Sequence, residues 1–139
     1  MAPVVHVVLF QFKDGQTPDQ RRDVSAFLYL CIRAPYRRCS SLTAKTRFFL
    51  QLCDKMLGLR SKCLHPASKR PYIKSSMGGL DRSIEGCQHG STHAFVVEFE
   101  SEQDRDYYVN EDPAQASFVL EVLQKLDKAT ILDFSPGVF

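Results

Sequence analysis

The chain has no apolar stretch long enough to cross a bilayer. The longest such run past the first strand-like segment, Ala26–Ile32, is far short of the roughly 20 residues that a membrane-spanning helix needs. Nor does the amino terminus carry a basic region, an apolar run and a small-residue cleavage site, since Met1–Pro3 lead straight into the strand-like Val4–Phe12. A secretory signal is therefore not expected, and a cytoplasmic location is. There is no CxxC pair, and five cysteines is an odd number, which argues against a disulfide framework and a structural zinc site. Buried thiols are the expectation for these cysteines. Charge of one sign is also scarce, with 18 Lys and Arg against 16 Asp and Glu for a net +2. That balance argues against nucleic acid as a partner.

What remains is the composition of an ordinary globular protein, 44% hydrophobic and 24% charged over 139 residues, enough for one core. Along Val4–Phe12 the side chains of His6, Val8, Phe10 and Phe12 alternate with Val5, Val7, Leu9 and Gln11. Both sets are largely apolar, which predicts an interior strand. Asp14-Gly15 reads as a turn, and Thr17-Pro18-Asp19-Gln20 as a capped helix start. Leu52, Met56, Leu59 and Cys63 form one helical stripe that His65-Pro66 ends. Tyr72–Met77 reads as a short extended piece, followed by Gly78-Gly79 and a polar loop to Gly90. Thr92–Glu100 alternates as a half-exposed central strand. Ser101 with Asp104 opens a short helix through Val109, and Asp112-Pro113 caps another carrying Phe118, Val119, Val122 and Leu126. Thr130–Phe134 is the last predicted strand. The resulting order is that of a ferredoxin-like α+β fold, βαββαβ. Its sheet leaves one face bare, and the same face of a second copy is the simplest cover, so a homodimer is expected.

Four blocks carry a family resemblance: VVHVVLFQFKDG, THAFVVEFESEQDRDYY, DPAQASFV and ILDFSPGVF. Together they resemble stress-responsive A/B barrel domain proteins, with CLHPASKRPYIKSSMGG from Cys63 to Gly79 similar to fungal members. The resemblance implies a single domain whose two copies make a dimeric α+β barrel, and it implies no one function. Residues 24–51 depart from it. That stretch, VSAFLYLCIRAPYRRCSSLTAKTRFFLQ, places Pro35 where the family has a continuous helix and reads like untranslated sequence. Val24-Ser25 is encodable as GTNAGY, Leu42-Thr43 as CTAACN and Gln51 as CAG, the forms of intron boundaries and a branch site. A retained intron is the expectation, and a genuine inserted helix is the alternative. Without the stretch, TPDQRRD would join LCDKMLGLRSKC in one capped helix.

No diagnostic catalytic motif is present. His6 and His93 lie on strands that pair in this topology, where they would act as a base or metal pair if they met, although a lone strand histidine is commonly structural. Cys63-x-His65 and Cys87-x-His89 lack zinc-ligand spacing, so neither metal nor cofactor is expected. Some members of the family cyclise linear polyketides with a Tyr and a His near an HPAH-like helix start. DPAQ stands there in this chain, so the resemblance places Gln115 where that His would be, with Tyr107 or Tyr108 matching the Tyr. The candidates for a ligand pocket are His6, Tyr72, His93, Phe95, Tyr107, Tyr108 and Gln115. The preferred reading is a non-catalytic or small-ligand-binding homodimer, its ligand a small aromatic molecule. The alternative is a polyketide cyclase-like enzyme.

Overall fold

The computed structural model describes residues 2–13 and 44–139. The described elements are β1 (Val4–Phe12), α1 (Ala44–Lys62), β2 (Ile73–Leu80), β3 (His93–Phe99), α2 (Glu102–Asn110), α3 (Pro113–Leu123) and β4 (Leu126–Phe134). The four strands form one sheet in the order β2-β3-β1-β4, and every neighbouring pair is antiparallel. This is the ferredoxin-like α+β arrangement, with the first and third strands, β1 and β3, in the middle of the sheet.

The alternation along β1 separates the two faces as the sequence predicts. Val4, His6, Val8, Phe10 and Phe12 are all buried and look toward the helices, while Val5, Val7, Leu9 and Gln11 are half-buried on the other side. On β3 the inward residues are His93, Phe95, Val97 and Phe99. Leu52, Met56 and Leu59 of α1 and Cys63 just past its end complete the core from above, with Phe118 and Val122 from α3. Burial of these apolar faces is the main source of stability. An exposed ion pair, Lys55 Nζ to Glu121 Oε1 at 2.6 Å, also ties α1 to α3, and such pairs add little.

Both short helices start where the sequence places them. Ser101 accepts from the Asp104 backbone N–H at 3.1 Å, and Asp112 accepts from the Ala114 and Gln115 N–H groups at 2.8 and 3.2 Å with Pro113 in the first turn. Two expectations need correcting. Gly78-Gly79 belongs to β2 rather than to the loop that follows, because the second strand continues to Leu80. Leu126 opens β4 instead of ending α3, because the helix stops at Leu123 and the Lys125 N–H turns back to the Val122 carbonyl at 2.9 Å.

The predicted turn at Asp14-Gly15, the helix start at Thr17 and residues 24–43 of the added stretch lie outside the described residues. The remainder of that stretch, 44–51, is helical and continuous with the family-like part of α1. Its Phe49 is buried in the core and meets the Phe12 ring at a centroid distance of 4.8 Å.

On the face away from the helices, the sheet register aligns Val7 with Val96 and Leu132, Val5 with Phe134, and Met77 with Val96. Met77, Leu132 and Phe134 are exposed. Cross-strand partners share a face, so these side chains form one contiguous apolar surface on the bare side of the sheet.

A polar array in the sheet–helix cleft

Register decides which candidates come together. His6 on β1 lies directly opposite Asp133 on β4, and both side chains point toward the helices. His6 Nδ1 is 2.5 Å from Asp133 Oδ1, and the second carboxylate oxygen accepts from Arg105 Nη1 at 2.6 Å. Arg105 also donates from Nε to Asp106 Oδ1 at 2.8 Å. Its hydrogen bonds to Asp106 and then Asp133 hold the guanidinium above its already high ordinary pKa.

Arg105 and Tyr108 are three residues apart on α2 and therefore share a helix face. While Arg105 clamps Asp133, Tyr108 sets its ring edge-on to His6, with centroids 5.8 Å apart and planes at 75°. Tyr108 is almost fully buried, and burial pushes its phenol above the ordinary range, with smaller contributions from Cys63 and Asp112. It therefore stays a neutral donor at neutral pH.

His6, Tyr108 and Gln115 border one cleft between the sheet and α3, of about 90 Å³. The rest of its wall is apolar: Val8, Phe10, Met56, Phe118, Val119, Val122, Leu123, Leu126, Ala129 and Ile131. Engineered apolar cavities of ~150 Å³ enclose benzene, so this open space takes part of an aromatic ring and leaves the rest against the rim, where Ile131 and Leu123 are exposed. Among the described residues, neither His6 Nε2 nor the Tyr108 hydroxyl has a hydrogen-bond partner.

The other candidates lie elsewhere. Tyr72 donates to Asp112 Oδ2 at 2.7 Å, its ring stacked over Phe99 and met edge-on by Tyr107 at 5.6 Å. Burial first, and then the bond to Asp112, push the Tyr72 phenol well above its ordinary range. Phe95 is a core residue, 1% exposed. His93 faces the same way as His6, but it pairs with Phe10 whereas His6 pairs with Val97. The offset is four residues, about 13 Å along the strand at roughly 3.3 Å per residue, so the two imidazoles do not meet.

His93 sits 2.9 Å from Thr92 Oγ1 and edge-on to Phe12. It borders a second, wider hollow of about 390 Å³ beside the loop after β2, with Leu9, Asp81, Cys87, Gln88 and Lys128. That hollow is larger than the cleft, yet it is onto the cleft that the connected array of Arg105, Asp133 and His6 opens, through His6. Among the described residues no three His, Cys, Asp or Glu side chains are grouped to hold a metal ion. His65 Nδ1 is engaged locally, accepting from the Ala67 and Ser68 N–H groups at 3.2 and 3.3 Å.

Two members of the array, Asp133 and Arg105, are not among the sequence candidates. The signal for Asp133 was an acidic residue inside an apolar strand, ILDF. Arg105 has no sequence signal beyond its three-residue spacing from Tyr108.

The cysteines divide by environment. Cys63 is fully buried, Cys53 is half-buried and Cys87 is exposed, while Cys31 and Cys39 lie outside the described residues. The expectation of buried thiols thus fails at Cys87, which sits in the polar loop. Burial, followed by the neighbouring Asp112, pushes the Cys63 thiol from 9.0 to about 12. Iodoacetamide in mildly alkaline buffer should therefore label Cys87 in the native protein and spare Cys63, as read by peptide mass spectrometry. The thiol of the unfolded chain ionises first, so the folded state holds the extra proton and Cys63 makes stability fall as pH rises from about 9 toward 12. Labelling of Cys63 as fast as Cys87 would refute this placement.

A profile of the stress responsive A/B barrel domain family matches residues 4–136. The chain belongs to that family. No curated protein matches this family member. Among solved structures, the Arabidopsis thaliana protein At3g17210 is 26% identical with a TM-score of 0.64, covering 98% of this chain and 97% of its own. The hydroxynitrile lyase of Passiflora edulis is 19% identical with a TM-score of 0.65, covering 99% and 97%. A Bacteroides fragilis protein described as dimeric, of ferredoxin-like fold and unknown function, is 14% identical with a TM-score of 0.58, covering 97% of each chain. The last two likenesses show the fold alone. Among the described residues of this A/B barrel chain, no helix is long and apolar enough to cross a membrane.

Proposed function

We propose that this A/B barrel protein works as a homodimer that binds a small, mainly apolar molecule in the cleft between the sheet and α3. The observation that carries the reading is an apolar cleft bordered by two polar groups with no partner among the described residues, His6 Nε2 and the Tyr108 hydroxyl. Clefts with convergent polar groups on apolar walls are the usual form of small-molecule sites. The bare apolar face supports the dimer, as does the dimeric state of the Bacteroides fragilis relative.

Ligand-observed NMR with phenol tests the binding. Wild type should show saturation transfer to phenol, and Val119→Trp, which fills the cleft from α3, should abolish the transfer while leaving the unfolding midpoint nearly unchanged. No transfer in wild type, or equal transfer in both proteins, overturns the reading.

A second reading, an enzyme acting on a small molecule, is favoured by the hydrogen bond between His6 and Asp133. This pairing orients an imidazole as a general base in other active sites. It does not follow the route of the family cyclases, because Gln115 supplies no imidazole. The hydroxynitrile lyase of Passiflora edulis supports the idea that this scaffold carries chemistry.

A further inference from the structure

We infer that Asp133 and Arg105 are positioning residues that lock His6 in the Nδ1–H tautomer, so that its Nε2 presents a fixed hydrogen-bond acceptor to the cleft. The inference rests on the proposed binding role of that cleft and names how the site discriminates between ligands.

An ionised carboxylate can only accept. With Asp133 Oδ1 at 2.5 Å from His6 Nδ1, Nδ1 must be the donor, and in the neutral ring the bare nitrogen is then Nε2. Asp133 in turn has little freedom. Its backbone is held opposite His6 by the β1–β4 register, and its Oδ2 is occupied by Arg105 Nη1 at 2.6 Å. Arg105 is steadied from the other side by Asp106. Ring rotation of His6 is opposed by Tyr108 and Phe99, both edge-on at 5.8 and 6.4 Å. The three elements β1, β4 and α2 thus each contribute one side chain to a relay that ends on the cleft wall. Removing Asp133 leaves the ring in place but frees the choice of nitrogen.

The consequence for binding is selectivity. A fixed acceptor favours a ligand that donates a hydrogen bond over one of the same shape that does not, because the mismatched ligand strands the polar group. Phenol and toluene are such a pair.

Selectively ¹⁵N-histidine-labelled protein in mildly alkaline buffer gives the tautomer directly from two-bond ¹H–¹⁵N correlations. In wild type His6 should show a protonated Nδ1 and a bare Nε2. Asp133→Asn should move it toward Nε2–H, since an amide can donate to Nδ1, and Arg105→Gln should produce a partial shift. Phenol should bind wild type about tenfold more tightly than toluene; the effect of Asp133→Asn is read on the tautomer, because the phenol oxygen also accepts from an Nε2–H. An Nε2–H tautomer in wild type, or an unchanged tautomer in folded Asp133→Asn, overturns the inference. Should Asp133→Asn fail to fold, the wild-type spectrum and Arg105→Gln decide it. If neither probe binds wild type while the tautomer shifts as stated, the binding proposal fails and the positioning role stands.

Discussion

Phe95→Ala is expected to lower the stability of the fold by about 4 kcal/mol, the usual cost of deleting a large aromatic side chain from a core. Phe95 is 1% exposed on a central strand, and its ring lies 5.3 Å from that of Phe10. The position has little scope for relaxation on its β2 side. A Cβ added at Gly78 would stand 2.3 Å from Phe95 Cδ1 and 2.8 Å from the Ala94 carbonyl oxygen, so the strand backbone already touches the ring. With domains typically stable by about 5–15 kcal/mol, the loss takes a large part of the total. Urea unfolding should show a much lower midpoint with the slope preserved. A change below about 1 kcal/mol would mean that Phe95 is not a core residue and would return it to the list of ligand contacts.

Asp112→Ala should cost about 3 kcal/mol. Its carboxylate is 2% exposed and takes three donors: the Ala114 and Gln115 N–H groups and the Tyr72 hydroxyl. Loss of the helix cap accounts for about 1 kcal/mol, and the Tyr72 hydroxyl left without its acceptor for about 1–3 kcal/mol more. The two parts can be separated. Adding Tyr72→Phe to Asp112→Ala removes the orphaned donor and should recover about 1 kcal/mol in a double-mutant cycle. Full additivity of the two substitutions in urea unfolding would show that the hydroxyl and the carboxylate do not interact energetically.

The contrast between these two residues shows what a sequence reading reaches. Asp112 is legible because a cap is local: an Asp, a Pro and a helical run suffice to place it. The alternation of β1 and the stripe Leu52, Met56, Leu59 and Cys63 are legible for the same reason, since each is a periodic pattern within one element. Gly78 misleads because glycine pairs usually punctuate turns, whereas here the missing Cβ is what lets Phe95 pack beneath the strand. Leu126 misleads because its spacing from Val122 continues a helical period that the backbone abandons at Gln124.

The site was less accessible. His6 and Tyr108 could be suspected from residue type, but the contact between His6 and Asp133 joins residues 127 apart in sequence and depends on a register that contains an irregularity at Gln11/Phe12. The same dependence separates His6 from His93. Knowing that two residues lie on adjacent strands and face the same way does not fix how far apart they are along those strands. Tyr72, Tyr107 and Phe95 were equally plausible by chemistry, and only packing assigns Tyr72 to Asp112 and Phe95 to the core.

The cleft and the bare apolar surface lie on opposite sides of a single sheet. In the proposed homodimer, docking through the bare side leaves each cleft facing outward, with its rim at Ile131 and Leu123 open to solvent. Ligand would then enter without the subunits parting, at a stoichiometry of two per dimer. Any communication between the two sites would have to pass through the strands themselves, by way of β1 and β4, whose residues alternate between the cleft wall and the subunit contact.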